Sequence, residues 1–198
     1  LVKPEDQPRF LNRIHQEADR LVALINDILR LSQLDEGGAL PHEQVSVLEL
    51  AQEAARSLTA QAAAQAVHIS VTGTAGTVFG VRRLLYEIAR NLCENAVKYN
   101  VPGGDVFVSV ERRRGYVLLT VEDTGIGIPD GDLPNIFSRF YRVDKARSRE
   151  RGGSGLGLSI VHDAVAALGG RIDVSARPGG GTRFVVTFPA RMQTGGGA

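Results

Sequence analysis

The nine residues Asn91-Leu92-Cys93-Glu94-Asn95-Ala96-Val97-Lys98-Tyr99 constrain the fold more than any other stretch, because they set an apolar and a polar stripe side by side on one helix. Steps of four and three residues separate Asn91, Asn95 and Lys98, so their side chains line up along one face. Leu85, Ile88, Leu92 and Ala96 fall on the neighbouring stripe and need burial. Such a helix lies with one side on a core and the other toward solvent or a polar ligand. Two carboxamides and an ammonium in a row suit a hydrated divalent cation carrying a polyphosphate. Magnesium takes hard oxygen ligands, and an Asn carbonyl oxygen is one. Taken alone, the same pattern equally describes a solvated face or a helix cap.

Composition narrows the classes. The 198 residues are enough for a substantial core, and 43% hydrophobic with 23% charged residues is ordinary for a globular protein. A formal net charge of +1 gives no argument for nucleic-acid binding. The single cysteine, Cys93, excludes an intramolecular disulfide framework and a cysteine-based zinc site, and it reads as a small inert core residue. No run of about 18 apolar residues and no signal-peptide pattern is present, so a soluble piece without membrane contact is expected. The absence of an initiator Met suggests a fragment of something longer.

Along the chain, residues 4 to about 34 read as one long helix. Leu11, Ile14, Ala18, Leu21, Ile25 and Ile28 alternate steps of three and four, and Leu24, Leu31 and Leu34 widen the seam. Glu36-Gly37-Gly38 ends it. A helix like this needs partners, which implies dimerisation or a missing neighbour. An extended piece around Gln44 to Val47 precedes a Ser46/Glu49 capping box that opens an Ala-rich helix to about Gln65. Val67 to Val71 alternates as a strand, and the polar-striped helix spans roughly 81 to 99. Asp105 to Arg112 and Tyr116 to Glu122 form a hairpin about Arg114-Gly115. A helix is expected from Gly155 to Leu168, then a second hairpin from Arg171 to Ala176 and Arg183 to Phe188. The lack of a βαβ rhythm argues for an α+β fold with helices on one face of a sheet. The expected division is a partial bundle helix over 1–38, a folded domain over 39–190 and a disordered tail over 191–198.

Two further segments carry chemistry. Asp123-Thr124-Gly125-Ile126-Gly127-Ile128-Pro129 follows a strand directly, so Asp123 presents an exposed acceptor while the glycines let a ligand's rings approach the backbone. A carboxylate there would accept from adenine's exocyclic amine and repel the oxygen that guanine carries at that place, a contact worth roughly 1.5–3 kcal/mol. A plain Asp-Gly turn is the competing reading. Gly152-Gly153-Ser154-Gly155-Leu156-Gly157-Leu158-Ser159-Ile160 opens a helix and offers free N–H groups to phosphate oxygens. Its spacing satisfies neither the Rossmann fingerprint nor the P-loop. Between them Asp130 to Arg151 is polar and carries Arg139, Arg142, Lys145, Arg147, Arg149 and Arg151, a composition that suits a mobile lid over a triphosphate or a solvated charge run. Phe137 and Phe140 could pin that segment.

These segments, in this order, resemble the ATP-binding domain of the bacterial two-component sensor histidine kinases. Asn91 to Tyr99 is similar to the family's asparagine box, Asp123 to Gly127 to its first glycine box and Phe137 to Arg142 to its phenylalanine box. Gly153 to Leu158 is similar to the second glycine box, and Gly179-Gly180-Gly181-Thr182 with Phe184 to the final glycine-threonine turn. The likeness covers residues 44 to 190. Arg9 to Asp35, ending in Leu31-Ser32-Gln33-Leu34-Asp35, resembles the second helix of the family's dimerisation and phosphotransfer domain. The resemblance implies the layered Bergerat α/β sandwich shared with gyrase, Hsp90 and mismatch-repair ATPases. It implies transfer of the ATP γ-phosphoryl to a histidine, for relay to a response-regulator receiver domain. A homodimer through the bundle helix and a cytoplasmic location, with the parent protein anchored in a membrane, are further implications.

Residue by residue, the resemblance implies magnesium coordination by Asn95, with Asn91 supporting metal and phosphates, and phosphate contact by Lys98. Tyr99 would lie against the adenine or ribose, and Asp123 would accept from the adenine amine. Gly125, Gly127 and Ile128 would shape the base pocket with Thr182. Gly153, Gly155, Leu156, Gly157 and Leu158 would cradle phosphates and hinge the lid, with Phe140 beside them and Arg142 reaching the γ-phosphate. Asn91, Asn95 and Arg142 are thereby the expected catalytic set.

One departure stands out. The family's phosphoacceptor lies in a His-Glu/Asp-x-Arg/Lys-Thr-Pro string, and none exists here. His15 precedes Gln16-Glu17-Ala18 without a Thr-Pro, while His42, His68 and His162 fall in the ATP domain, so no histidine of this chain is expected to be the acceptor. The competing readings are a hydrolase or clamp of the gyrase and Hsp90 kind, and a nucleotide-binding module without turnover. By the resemblance, those hydrolases place a water-activating Glu at the position corresponding to Asn91, and the anti-sigma serine kinases likewise use a carboxylate there. An amide lacks the basicity to activate water, which favours kinase over hydrolase.

Overall fold

The structure is a computed structural model, and its described residues are 10–11, 41–143 and 154–190. The expected bundle helix, His15, the lid residues 144–153 and the tail 191–198 lie outside them, apart from Phe10 and Leu11, which are helical.

Ser46 closes a short strand, β1 (Glu43–Ser46), and caps α1 (Val47–Ser57), its hydroxyl accepting from the Glu49 N–H at 3.4 Å. Leu50, Ala51 and Ala54 turn one side of α1 inward. The expected single helix to Gln65 is in fact two. Leu58 breaks it and is itself buried, and α2 (Thr59–Ala64) restarts with the Thr59 hydroxyl donating to the Arg56 carbonyl oxygen at 2.9 Å. After β2 (His68–Gly73) comes a strand the alternation did not predict, β3 (Thr77–Gly80), which pairs antiparallel with β1 in a separate two-stranded sheet. The polar-striped helix is α3 (Arg82–Lys98). Strands β4 (Asp105–Arg113) and β5 (Tyr116–Asp123) form the expected hairpin, with Arg114 and Gly115 both at positive φ in the turn. Helix α4 (Gly157–Ala167) starts two residues later than expected, and β6 (Arg171–Ala176) and β7 (Thr182–Pro189) close the fold.

The main sheet has the order β2-β4-β5-β7-β6. Its pairs are antiparallel except β2 with β4, which run parallel from His68↔Asp105 to Gly73↔Val110. The sequence therefore contains one βαβ-type crossover, through β3 and α3, where none was expected. Val106, Val108, Val110, Val117, Leu119, Val121, Phe184, Val186 and Phe188 form the inner face of the sheet. Against them pack α1, α3 and α4, whose Leu50, Ile88, Leu92, Ile160 and Val161 are fully buried. The opposite face carries alternating polar residues, among them the cross-strand pair Glu122 and Arg183 at 3.1 Å. This is the expected α+β arrangement with helices on one side. Among the described residues no helix is long and apolar enough to cross a membrane.

Candidate functional site

The ends of β5 and α3 and the start of α4 converge on one edge of the sandwich. The stripe on α3 is not uniform. Asn91 is only 8% exposed, and its Nδ2 donates to the Glu87 carbonyl oxygen at 2.8 Å. With the nitrogen so engaged, its Oδ1 faces the start of α4, 3.3 Å from where a Cβ on Gly157 would sit. Asn95 is half-buried and its Nδ2 lies 4.0 Å from that same point. Lys98 is half-buried with its ammonium 5.5 Å from the centre of the Tyr99 ring, a cation–π arrangement. Cys93 is fully buried on the core side, where desolvation pushes its thiol up to about 12, the inert residue its setting predicts.

Gly157 leaves a narrow gap between α3 and α4. No side chain caps the N-terminus of α4, whose first-turn N–H groups have no partner within the helix. Leu156 anchors this corner in the core, Leu158 is partly buried against it, and the Leu156 N–H donates to the Ser154 hydroxyl at 3.1 Å. Asn91 Oδ1 thus forms one wall of this gap and the start of α4 the other. Among the described residues there is no cluster of three or more His, Cys, Asp or Glu, so a cation here would draw on carboxamides and its own anionic ligand.

Asp123 ends β5 and differs from expectation. It is not an exposed acceptor but is 6% exposed, with Oδ1 accepting from the Gly125 N–H at 2.8 Å and the Thr182 N–H at 3.3 Å. Burial raises its carboxyl above the usual aspartate range, opposed by these hydrogen bonds and by the Arg177 guanidinium. The turn beyond it lies flush on the end of α3. The Ile126 N–H donates to the Tyr99 carbonyl oxygen at 3.1 Å, and a Cβ on Gly125 would collide with that same oxygen. Gly127 follows at φ +72°, with Ile128 partly buried behind it. Thr182 is buried at the start of β7, and a Cβ on Gly181 would run into the Asp123 carbonyl.

The described part of the expected lid is fastened to α4 by two contacts and to itself by one. The Phe137 ring packs on His162 at 5.6 Å, Arg139 pairs with Asp163 at 3.2 Å, and within the segment Tyr141 donates to Asp132 at 2.5 Å. Phe137 is the pin. Phe140 is 59% exposed at φ +64°, and its N–H donates to the carbonyl oxygen of Gly155, itself at φ +74°. Arg142 is half-buried next to this contact, and Gly153 lies outside the described residues. The structure thus brings together Asn91, Asn95, Gly155, Leu156, Gly157 and Leu158 on one side, and Tyr99, Asp123, Gly125, Gly127 and Thr182 on the other. Two residues absent from the expectation also sit at this junction. Asn100 and Thr124 are hydrogen-bonded beneath the Asp123 turn. An Asn following a helix reads as an ordinary end residue, so only its spacing to the Asp-Thr-Gly turn could have signalled it.

A mixed sheet covered by helices on one face, with a ligand edge built from an asparagine helix and two glycine turns, defines a nucleotide-binding sandwich. The chain belongs to the histidine kinase-, DNA gyrase B- and HSP90-like ATPase family, whose sequence model matches residues 80–192, and within it to the sensor histidine kinases. The His Kinase A (phospho-acceptor) domain model matches residues 2–37. The chain is 38% identical over 190 residues to the sensor-like histidine kinase SenX3 of Mycolicibacterium smegmatis, an alignment covering 94% of this chain and 49% of that protein. It spans about half the length of that relative. Among solved structures, the mycobacterial sensor histidine kinase MprB is 30% identical with a TM-score of 0.67, covering 76% of this chain and 99% of that one. Full-length ShkA in complex with AMPPNP is 27% identical with a TM-score of 0.75, covering 93% of this chain and 39% of that one.

Proposed function

We propose that this chain binds Mg-ATP across the α3–β5–α4 edge and donates the γ-phosphoryl group to a histidine in a phosphoacceptor helix. The observation that carries the reading is the pairing of a buried, oriented carboxylate, Asp123, with a phosphate gap between Asn91 and the open N-terminus of α4. Each accounts for one end of an adenine nucleotide. Asp123 accepts from the adenine amine, and Gly125, Gly127 and Ile128 supply a flat backbone wall, with Thr182 and Tyr99 closing the base and ribose side. Lys98 neutralises phosphate charge, and the amides from Gly153 to Leu158 cradle the chain of phosphates. Asn95 and Asn91 would hold magnesium, which when bound neutralises charge developing on the transferred oxygens. Arg142 would contact the terminal phosphate. The AMPPNP named with the related ShkA is an ATP analogue, in keeping with this assignment.

Asn91 favours a kinase over a hydrolase. Its amide cannot take a proton from water, and its nitrogen is already committed to the Glu87 carbonyl. The acceptor histidine lies outside the ATP-binding domain, since no acceptor-type string occurs in the sequence. Relay to a response-regulator aspartate and dimerisation through a helix bundle complete the proposed scheme. Calorimetric titration tests its first half. ATP should bind in a magnesium-dependent way and more tightly than GTP. Equal affinity for both nucleotides would remove the adenine assignment.

A further inference from the structure

The turn that carries Asp123 is joined to the end of α3 by a three-way polar lock. The Asn100 Nδ2 donates to the Asp105 carbonyl oxygen at 3.0 Å, and its Oδ1 accepts from the Val101 N–H at 2.9 Å and from the Thr124 hydroxyl at 3.3 Å. The same hydroxyl accepts from the Asp105 N–H at 2.8 Å, and the Thr124 N–H donates to the Asp105 carbonyl oxygen at 3.1 Å. Asn100 is buried, so these bonds are shielded from water. Gly104 makes room for them: a Cβ there would collide with Asn100 Oδ1 and stand 2.7 Å from Thr124 Oγ1. The lock therefore needs three residue types at once: a carboxamide at 100, a hydroxyl at 124 and no side chain at 104.

Its position gives it a consequence. Asn100 directly follows the α3 segment that carries Asn91, Asn95, Lys98 and Tyr99, and Thr124 directly follows Asp123. We infer that Asn100 and Thr124 are positioning residues, which fix the base-recognising carboxylate at a set distance from the phosphate-binding helix and so set the preference for adenine. The inference rests on the proposed ATP site. Loosening the lock lets the turn drift, which costs the directional bond from Asp123 to an adenine amine. Guanine does not make that bond, and the phosphate contacts sit on α3 and α4, so GTP affinity stays where it was.

The test is a titration of ATP and of GTP into the unmutated chain and into Asn100→Ala, Thr124→Val, Thr124→Ser and Gly104→Ala, with a thermal melt of each. Asn100→Ala, Thr124→Val and Gly104→Ala should each lower ATP affinity by about tenfold, the worth of one such bond, and leave GTP affinity unchanged. Thr124→Ser, which keeps the hydroxyl, should behave as the parent. The double variant Asn100→Ala/Gly104→Ala should lose less than the sum of its two parts, because the Cβ then has no amide to displace and meets only Thr124 Oγ1. Parallel losses of ATP and GTP binding, additive effects in that pair, or unchanged ATP affinity in folded Asn100→Ala would overturn the positioning role. A variant that fails to melt cooperatively is replaced by Asn100→Ser, for which the same outcomes decide. If the unmutated chain binds ATP no better than GTP, the site assignment itself falls and the inference falls with it.

Discussion

Asp123 combines two demands that pull against each other. Burial makes its charge costly, yet the charged form is the stronger acceptor for an adenine amine. Because its folded pKa is raised, the native state holds that proton more tightly than the unfolded chain does. Its contribution to stability is therefore present at low pH and lost as pH rises through the raised value. Asp123→Asn should melt at a higher temperature relative to the parent at neutral pH than at acid pH, while weakening ATP binding by about 1 kcal/mol or more. Parental ATP affinity should fall as pH is lowered through that same window, and the Asn variant should show no such fall. Melts and titrations across pH check both signs. Asn91 and Asn95 separate in the same way. The polar stripe was expected to face ligand throughout, but Asn91 is buried and bonded to Glu87. Asn91→Ala should cost about 1 kcal/mol of stability in a denaturant titration, whereas Asn95→Ala should leave stability near the parent and abolish the magnesium dependence of nucleotide binding.

At the scale of elements, the absence of a side chain at Gly157 leaves a narrow gap between α3 and α4 at one end. Gly157→Ala would place a methyl 3.3 Å from Asn91 Oδ1 and crowd the gap between the helices. The variant should fold, with ATP affinity reduced several-fold and the nucleotide-free melting temperature changed little, as a paired melt and titration would show. The elements also mark where the sequence was readable. The α3 pattern, the two hairpins and the Ser46 cap are local and strongly periodic, so they were visible. The break at Leu58 was not, because it lies in an Ala-rich run with no Gly or Pro. Strand β3 was hidden by its four-residue length, and the parallel β2–β4 pair by the long crossover between its members. For the site, residue types were legible but environments were not. Nothing in Asp123-Thr124-Gly125 says that the carboxylate is enclosed by Thr182 from a strand 59 residues away. The partnership of Asn100 with Thr124 likewise exists only once β4 and β5 have paired.

At the scale of the whole molecule, the proposed base and phosphate sites share one edge of the sandwich, and the proposed nucleophile belongs to another element. Phosphoryl transfer needs the attacking nitrogen roughly 3–3.5 Å from phosphorus and in line with the leaving oxygen. His42 stacks on Phe79 and His162 on Phe137, and His68 starts an edge strand, so these histidines are engaged in the scaffold. The most direct measurement is incubation of this chain with γ-labelled ATP and magnesium, alone and with a separately supplied phosphoacceptor-helix domain from a related sensor kinase. Label should appear, acid-labile and base-stable, on the added domain only, and Asn95→Ala should abolish it. Label on this chain alone that disappears in His15→Ala, or release of free phosphate without any transfer, would contradict the account.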